Sequence, residues 1–325
     1  MDLLVVDTLE ADVMEWLALR HSVRLAPELA YEPRAFRRAL YNVRAAIVPA
    51  SVTIDAEALD FAPLLRAIGR ISPGAESIDL GACERRGIEV VRSLTASARA
   101  EAEFMIGAML SLLRRVPVRG ADGVAAGREL GGATIGLVGM PPAARSLAQL
   151  LSGFGATIIG YDPALHASDT IWPLWQVTPA GLRELVERSD VMCVQLAYFS
   201  RYQGLLGDRF LPYCKPHQVL VSTAHSGLFD ETALAAALKS GRIAAAWLDS
   251  VEPGVLDPDR PLHGIETLLV TPRIAATTRE SRQRSSWAVA RRVDEVLDVV
   301  PRSARDFSST VPGALAGLEA ATWSL

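Results

Sequence analysis

The stretch TIGLVGMPPAARSLAQLLSGFGATIIGYDP, Thr134 to Pro163, decides the fold. An apolar run (Thr134–Val138) leads into a turn at Gly139, a helical segment (Ala143–Gly153) and a second apolar run (Thr157–Tyr161) that ends in Asp162. This is the frame of a dinucleotide-binding β-α-β unit. In a working GxGxxG turn the first glycine makes the bend, the second lets a pyrophosphate approach the backbone, and the third lets helix and strand pack closely. Here those positions read Gly139, Pro141 and Ala144. The acid at 162 falls where a ribose-binding Asp or Glu belongs, about 20 residues past the turn. Neither Pro141 nor Pro142 has an amide hydrogen to offer a phosphate, so anion binding at this helix start is expected to be weakened. A buried unit without a ligand is the alternative reading, because a fold does not guarantee a site.

The chain around this unit has 325 residues, half of them apolar, which suits two α/β domains with sizeable cores. A net charge of −4 and a pI near 5.8 give no electrostatic footprint for nucleic acid or an anionic membrane. Cys83, Cys193 and Cys214 are widely spaced and form no CxxC pair. They read as buried thiols of a reducing compartment, and His217 and His263 have no partner spacing for a metal. No run reaches the length of a membrane span, and Met1–Asp7 lacks the features of a signal peptide, so the expected location is cytoplasmic.

Periodicity predicts strands at Leu3–Val6, Val23–Leu25, Ala45–Val48, Ile68–Ile71 and Glu89–Val91, then a long helix over Ala98–Val116 stopped by Pro117. A second alternation predicts strands at 134–138, 157–161, 191–194, 218–221, 243–247 and 267–270, with helices over Pro179–Arg188 and Glu231–Lys239. The expected architecture is two Rossmann-like domains with doubly wound parallel sheets, the first of them discontinuous. Residues 1–97 and 298–325 form one, and 98–297 the dinucleotide-binding one. The helix Thr278–Val300 carries the chain back, and 301–325 reads as partly loop. The loops 222–227, 249–263 and 271–277 follow strands at their carboxyl ends, where such sheets bind ligands.

With Gly153-Phe154-Gly155, Tyr161-Asp162-Pro163, Lys215-Pro216, Phe229-Asp230-Glu231, Leu238-Lys239-Ser240-Gly241, Leu248-Asp249 and Thr271-Pro272, the chain resembles the D-2-hydroxyacid dehydrogenases from about Gly69 to Thr278. The resemblance implies NAD, a small 2-keto or 2-hydroxy acid and a homodimer formed around the 98–116 helix. It also implies catalytic Arg, Glu and His at positions that here read His225, Gly254 and Arg273. The substrate-carboxylate loop matches Ser72 to Ser77, where Pro73 removes a backbone donor. The resemblance thus points to His225 and Arg273 as catalytic candidates and to Ser72 and Gly74 for substrate. For the cofactor it points to Gly139, Pro141, Ala143, Asp162, Ala224 and Asp249.

Hydride transfer to a 2-keto acid needs a held carboxylate, a cation near the carbonyl and a proton donor. Arginine is a poor donor at neutral pH, so Arg273 cannot simply replace a histidine. Two readings stay open. In one, Arg273 clamps the carboxylate and His225 is the general acid, with Glu252 or Asp249 as its only available carboxylate partners; exchanging the two groups would give the opposite enantiomer to the family's. In the other, hydride transfer is weak or lost, and the chain is a non-catalytic ligand sensor, scaffold or partner-binding dimer. Asp162 likewise either holds a ribose or caps the segment before Pro163.

Overall fold

The computed structural model describes residues 1–72, 74, 77–93, 95–115, 118–119 and 123–298. The expected tail 301–325, Val116 and Pro117, and Pro73 of the substrate loop lie outside them.

Two parallel sheets organise these residues. The first is built from β1 (Leu3–Val5), β2 (Val23–Leu25), β3 (Ala45–Ile47), β4 (Ala67–Arg70) and β5 (Glu89–Arg92) in the order β2-β1-β3-β4-β5. Helices α2 (Pro33–Ala39), α3 (Ala56–Asp60) and α4 (Leu80–Arg85) cover one face, where Phe36, Leu59 and Cys83 pack with Leu4, Ala46 and Ile68. On the other face α1 (Ala11–Ala18) brings Val13 and Leu17 to Leu3, Val5 and Ile47. Strand residues alternate between the two faces, as the two-residue period requires. Asp55 and Asp79 cap α3 and α4 by accepting amides three residues on.

From the first sheet α5 (Ala98–Arg115) leads to a two-stranded ribbon, β6 (Val118–Arg119) and β7 (Ala125–Ala126), and then to the second sheet. Its members are β8 (Thr134–Val138), β9 (Thr157–Tyr161), β10 (Thr178–Pro179), β11 (Val191–Val194), β12 (Gln218–Ser222), β13 (Ile243–Leu248) and β14 (Leu268–Val270). Their order is β10-β9-β8-β11-β12-β13-β14, all parallel, so the winding reverses between β8 and β11. With α5, α6 (Pro142–Leu151) covers one face, where Met105, Met109 and Leu147 meet Ile135, Cys193 and Val221. On the other, α8 (Leu182–Arg188) and α9 (Glu231–Lys239) bring Leu185 and Leu234 to Met192, Val194 and Leu220. A short helix α7 (Ile171–Leu174) precedes β10. The three thiols are buried; burial pushes Cys214 up to about 12 and Cys193 higher still, so neither serves as a nucleophile.

The last helix, α10 (Arg279–Asp298), lays Val289, Ala290, Val293 and Leu297 against the α1 face of the first sheet. His21 adds a 2.7 Å Nε2 contact to Asp294. α10 thus closes the first sheet and ends at 298, the expected boundary. An apolar face must be buried where it is made, and this one is made by residues 289–297. Among the described residues no helix is long and apolar enough to cross a membrane.

At Gly69 in β4, α10 comes close: a Cβ there would lie 2.7 Å from Val289 Cγ1 and 3.0 Å from Ile47 Cγ1. Gly69→Ala should cost about 1–3 kcal/mol through overpacking. Urea unfolding would check this, and an unchanged midpoint would contradict the close docking of α10.

Candidate active site

The carboxyl end of β8 sets the site. Gly139 has φ +90°, and a Cβ on it would stand 2.5 Å from Leu196 Cα, so only glycine fits between the two chain segments. Its amide donates to Tyr161 O at 2.7 Å, and the next amide, Met140 N, donates to Asp162 Oδ2 at 2.8 Å. Ala164 N donates to Asp162 Oδ1 at 2.9 Å. Of the two roles open to Asp162, the structure shows the local one: its carboxylate ties the turn after β8 to the chain leaving β9. A lone pair on each oxygen remains for a further donor.

Pro141 precedes α6 in extended conformation and Pro142 is its first residue. The first amides able to point out of the helix are therefore those of Ala143 and Ala144, both buried. Arg145 completes the first turn, its Nε donating to Met140 O at 2.9 Å and its guanidinium lying 4.4 Å over Trp175. Facing this turn across the winding reversal is Gln195, 7% exposed, whose Oε1 and Nε2 have no hydrogen-bond partner among the described residues. A buried unpaired amide costs about 1–3 kcal/mol, which a ligand in the crevice would recover. The residues thus fit a dinucleotide, with the amides of Ala143 and Ala144 at the helix start for its phosphates.

At the end of β12, buried Ala224 donates its amide to Val194 O at 3.3 Å and leads to His225. His225 Nδ1 accepts from Gly227 N at 3.0 Å, which leaves the proton of the neutral ring on Nε2. The ring stacks on Tyr198, with centroids 4.5 Å apart and planes at 21°. Glu252, from the loop after β13, brings Oε1 to 3.6 Å from His225 Nε2. Its backbone is held there by Ser226 Oγ, which accepts from Glu252 N at 3.1 Å. Gly254 is a turn residue at φ +78°, and a Cβ there would meet Asp257 Oδ2 at 2.9 Å.

Asp249 is buried and anchors the loop after β14. Oδ1 accepts from Thr271 Oγ1 (2.6 Å) and Ile274 N (2.9 Å), and Oδ2 accepts from Ala275 N (2.9 Å). Arg273 N donates to Asp249 O at 2.6 Å. Arg273, exposed and at φ +57°, is thus presented by a loop hung on Asp249. A cofactor contact by Asp249, expected from the sequence, is left with one unshared oxygen direction. Ser72 is half-buried with a buried hydroxyl that meets no partner among the described residues, and Gly74 is half-buried beside it. Their loop springs from β4, whose buried Arg70 donates to Ser77 Oγ, Pro49 O and Val52 O.

Sequence reasoning named Glu252 only as one of two available partners and passed over Gln195, Tyr198 and Glu101. The first three stand in loops at carboxyl strand ends, and that position was the available signal. Glu101, in the first turn of α5, accepts from Ser97 Oγ at 2.8 Å. Burial raises its carboxyl above the usual range, the nearby Asp249 charge adds to this, and the Ser97 hydrogen bond opposes it.

A carboxyl raised in the folded state holds its proton more tightly there than in the unfolded chain. Stability is therefore lost as pH climbs from the ordinary carboxyl value through the raised one. Glu101→Gln keeps the Ser97 contact and removes that slope. The variant should match the parent near pH 4 and exceed it at pH 7 in thermal unfolding; parallel Tm curves across that range would refute the assignment.

Residues 107–275 match the model of the family described as D-isomer specific 2-hydroxyacid dehydrogenase, NAD binding domain. The chain is 34% identical over 266 residues to the (S)-sulfolactate dehydrogenase of Chromohalobacter salexigens, covering 79% of this chain and 86% of that protein. It is 31% identical over 291 residues to the D-3-phosphoglycerate dehydrogenase of Mycobacterium bovis, covering 86% of this chain and 53% of that one, so it spans about half that relative's length. The solved TT0316 protein of Thermus thermophilus superposes with a TM-score of 0.75 at 25% identity, covering 91% of this chain and 97% of that one. The chain belongs to the D-isomer specific 2-hydroxyacid dehydrogenase family.

Proposed function

We propose that this protein interconverts a small 2-keto acid and its 2-hydroxy acid with NAD, bound weakly, using His225 for the proton and Arg273 for the substrate carboxylate. The observation that carries the reading is Gln195: a buried side-chain amide with both polar atoms unpaired, at the winding reversal where open α/β sheets take ligands. Loops ending three neighbouring strands of the same sheet then supply the imidazole, the carboxylate and the guanidinium.

A bound nicotinamide supplies or removes the hydride. Ala143 and Ala144 offer amides to its phosphates, Gln195 offers an amide, and Asp162 offers acceptors to ribose hydroxyls. An acid there disfavours a 2′-phosphate, which selects NAD over NADP. For His225 to cycle a proton at Nε2, Nδ1 must carry a proton throughout, so the ring gives up the contact with the Gly227 amide when it becomes charged. During reduction the imidazolium then gives its Nε2 proton to the carbonyl oxygen, leaving a neutral ring protonated on Nδ1; during oxidation Nε2 of that ring takes the proton back. Arg273 stays charged and attracts the carboxylate, while Ser72 offers a hydroxyl from the first sheet. Placing the acid on the β12 side and the cation on the β14 side exchanges carboxylate and carbonyl oxygen about the reacting carbon. The opposite face of the substrate is then turned to the nicotinamide.

Calorimetric titration should show NADH binding only as it approaches millimolar concentration. Replacing Pro141 by Gly and Pro142 by Ala restores open backbone and one amide, and should tighten binding at least tenfold. No heat from either protein at millimolar NADH would leave the non-catalytic alternative. With a panel of small 2-keto acids, the product should have the handedness opposite to the D-specific relatives, and His225→Gln should lower turnover about 10²–10⁴-fold. A purely D product, read by chiral chromatography, would dispose of the exchanged roles.

A further inference from the structure

Away from the crevice, three ligand-type side chains converge beside the first sheet. His21 stands just ahead of β2, and Asp294 and Asp298 stand one turn apart on α10. One donor atom from each, an imidazole nitrogen and two carboxylate oxygens, lie within 4.8 Å of one another, and no other such group of His, Cys, Asp and Glu is found among the described residues. We infer that these three residues form a binding site for a divalent metal ion that takes nitrogen as well as oxygen, such as zinc, and that the ion fastens the return helix to the first sheet. His21 precedes its strand, so the site lies at the amino end of the sheet, whereas the crevice loops follow carboxyl ends. The inference is therefore independent of the oxidoreductase reading.

The donor set selects the kind of ion. Zinc and its neighbours accept imidazole together with carboxylate, whereas magnesium and calcium take oxygen ligands. The His21 side chain is only 5% accessible, and it turns Nε2 toward Asp294 Oδ1 at 2.7 Å. Ligand atoms about 2.0–2.2 Å from a common ion stand roughly 3–4 Å apart. The His21–Asp294 pair must therefore open slightly, and the exposed Asp298 carboxylate must turn on its own side-chain bonds. The imidazole binds through the Nε2 lone pair, and a proton on that nitrogen passes to solvent. His21 and Asp294 are 273 residues apart, so sequence spacing does not show the cluster.

Electrostatics favours a cation at the same place. Aspartates four residues apart share one face of a helix, and like charges there repel. Both also stand near the carboxyl end of α10, where free carbonyls make the end negative and the last turn has no basic residue to offset them. Arg44 reaches this end, but its two Nη groups are engaged by Asp2 Oδ1 at 3.0 Å and Leu297 O at 2.7 Å. The contact with His21 accounts for Asp294. Asp298 meets no partner among the described residues, so no hydrogen bond accounts for its place. An ion held by both carboxylates offsets their mutual repulsion and the negative helix end together.

Zinc chloride added to the whole chain after chelator treatment tests the site without any turnover. Zinc should bind one to one and raise the thermal midpoint by at least about 3 °C at a hundredfold excess over its dissociation constant. It should shift the NMR signals of the His21 ring and leave the other four histidines in place. Asp298→Asn, at an exposed position, should keep the metal-free midpoint within about 1 °C and weaken zinc binding at least tenfold. His21→Gln should abolish binding; because that side chain is buried, Asp298→Asn carries the test if the His21 variant does not fold. Equal zinc affinity in parent and Asp298→Asn, or zinc that moves another histidine and leaves His21 unshifted, would overturn the site.

Discussion

Everything at the mouth of the second sheet depends on how closely the turn after β8 passes the chain leaving β11. With 2.5 Å between the position of a Gly139 Cβ and Leu196 Cα, the two backbones are in contact, and no side chain can separate them. That contact sits where the winding reverses, so it forms the floor of the crevice. It also directs the neighbouring groups: Asp162 reaches back to the Met140 amide, and Gln195 is buried beside the turn, its side-chain amide without a partner among the described residues. A substitution at Gly139 would therefore disturb the floor and both walls together.

Further along the sheet a second principle operates. The loops after β8, β13 and β14 are each held by a polar group of a neighbouring loop, and the functional candidates are what these attachments present. Asp249 gathers the loop after β14 by three hydrogen bonds and leaves Arg273 at its tip. Ser226 joins the loops after β12 and β13 and brings Glu252 to His225. The candidate cation and the candidate acid thus have separate supports, so either could be exchanged in the sequence while the sheet stayed intact.

The sequence was legible where residues are buried on both faces. The strands 134–138, 157–161 and 191–194 fall as periodicity predicts, because a fully covered parallel strand must be apolar throughout. It was less legible at edges. The two-residue strand Thr178–Pro179 has too little length to show a period, and the segment begins with turn residues rather than helix. The return helix and its course back to the first sheet could be seen, but the sheet face it covers could not, because an amphipathic pattern states that a face is buried and not against what. At the site, the family's motifs name His225 and Arg273 as candidates, and both stand in loops that follow strands at their carboxyl ends. The partner of His225 could not be chosen between Glu252 and Asp249, since that depends on the path of a loop. The motif position that suggested a lost glutamate, Gly254, is a left-handed turn, and a glutamate two residues earlier does the reaching.

On the proposed reading the paired prolines at 141 and 142 weaken the cofactor site by an amount that can be bounded. A hydrogen bond from an amide to a charged phosphate contributes about 1.5–3 kcal/mol. Removing one or two of them weakens binding by roughly ten-fold to 10⁴-fold. A site that held its cofactor at about 1 μM would then hold it at about 10 μM to 10 mM. What opposes this loss is local and visible: two helix amides remain, Asp162 keeps a free direction on each oxygen, and Gln195 has a full amide to pair. Helix amides and an acid for the ribose belong to an ordinary dinucleotide turn, so only the Gln195 amide, about 1–3 kcal/mol for a buried polar group that finds its partner, offsets the loss, and the offset is partial. On that reading, a partial offset leaves the crevice in the range where cofactor occupancy follows its concentration.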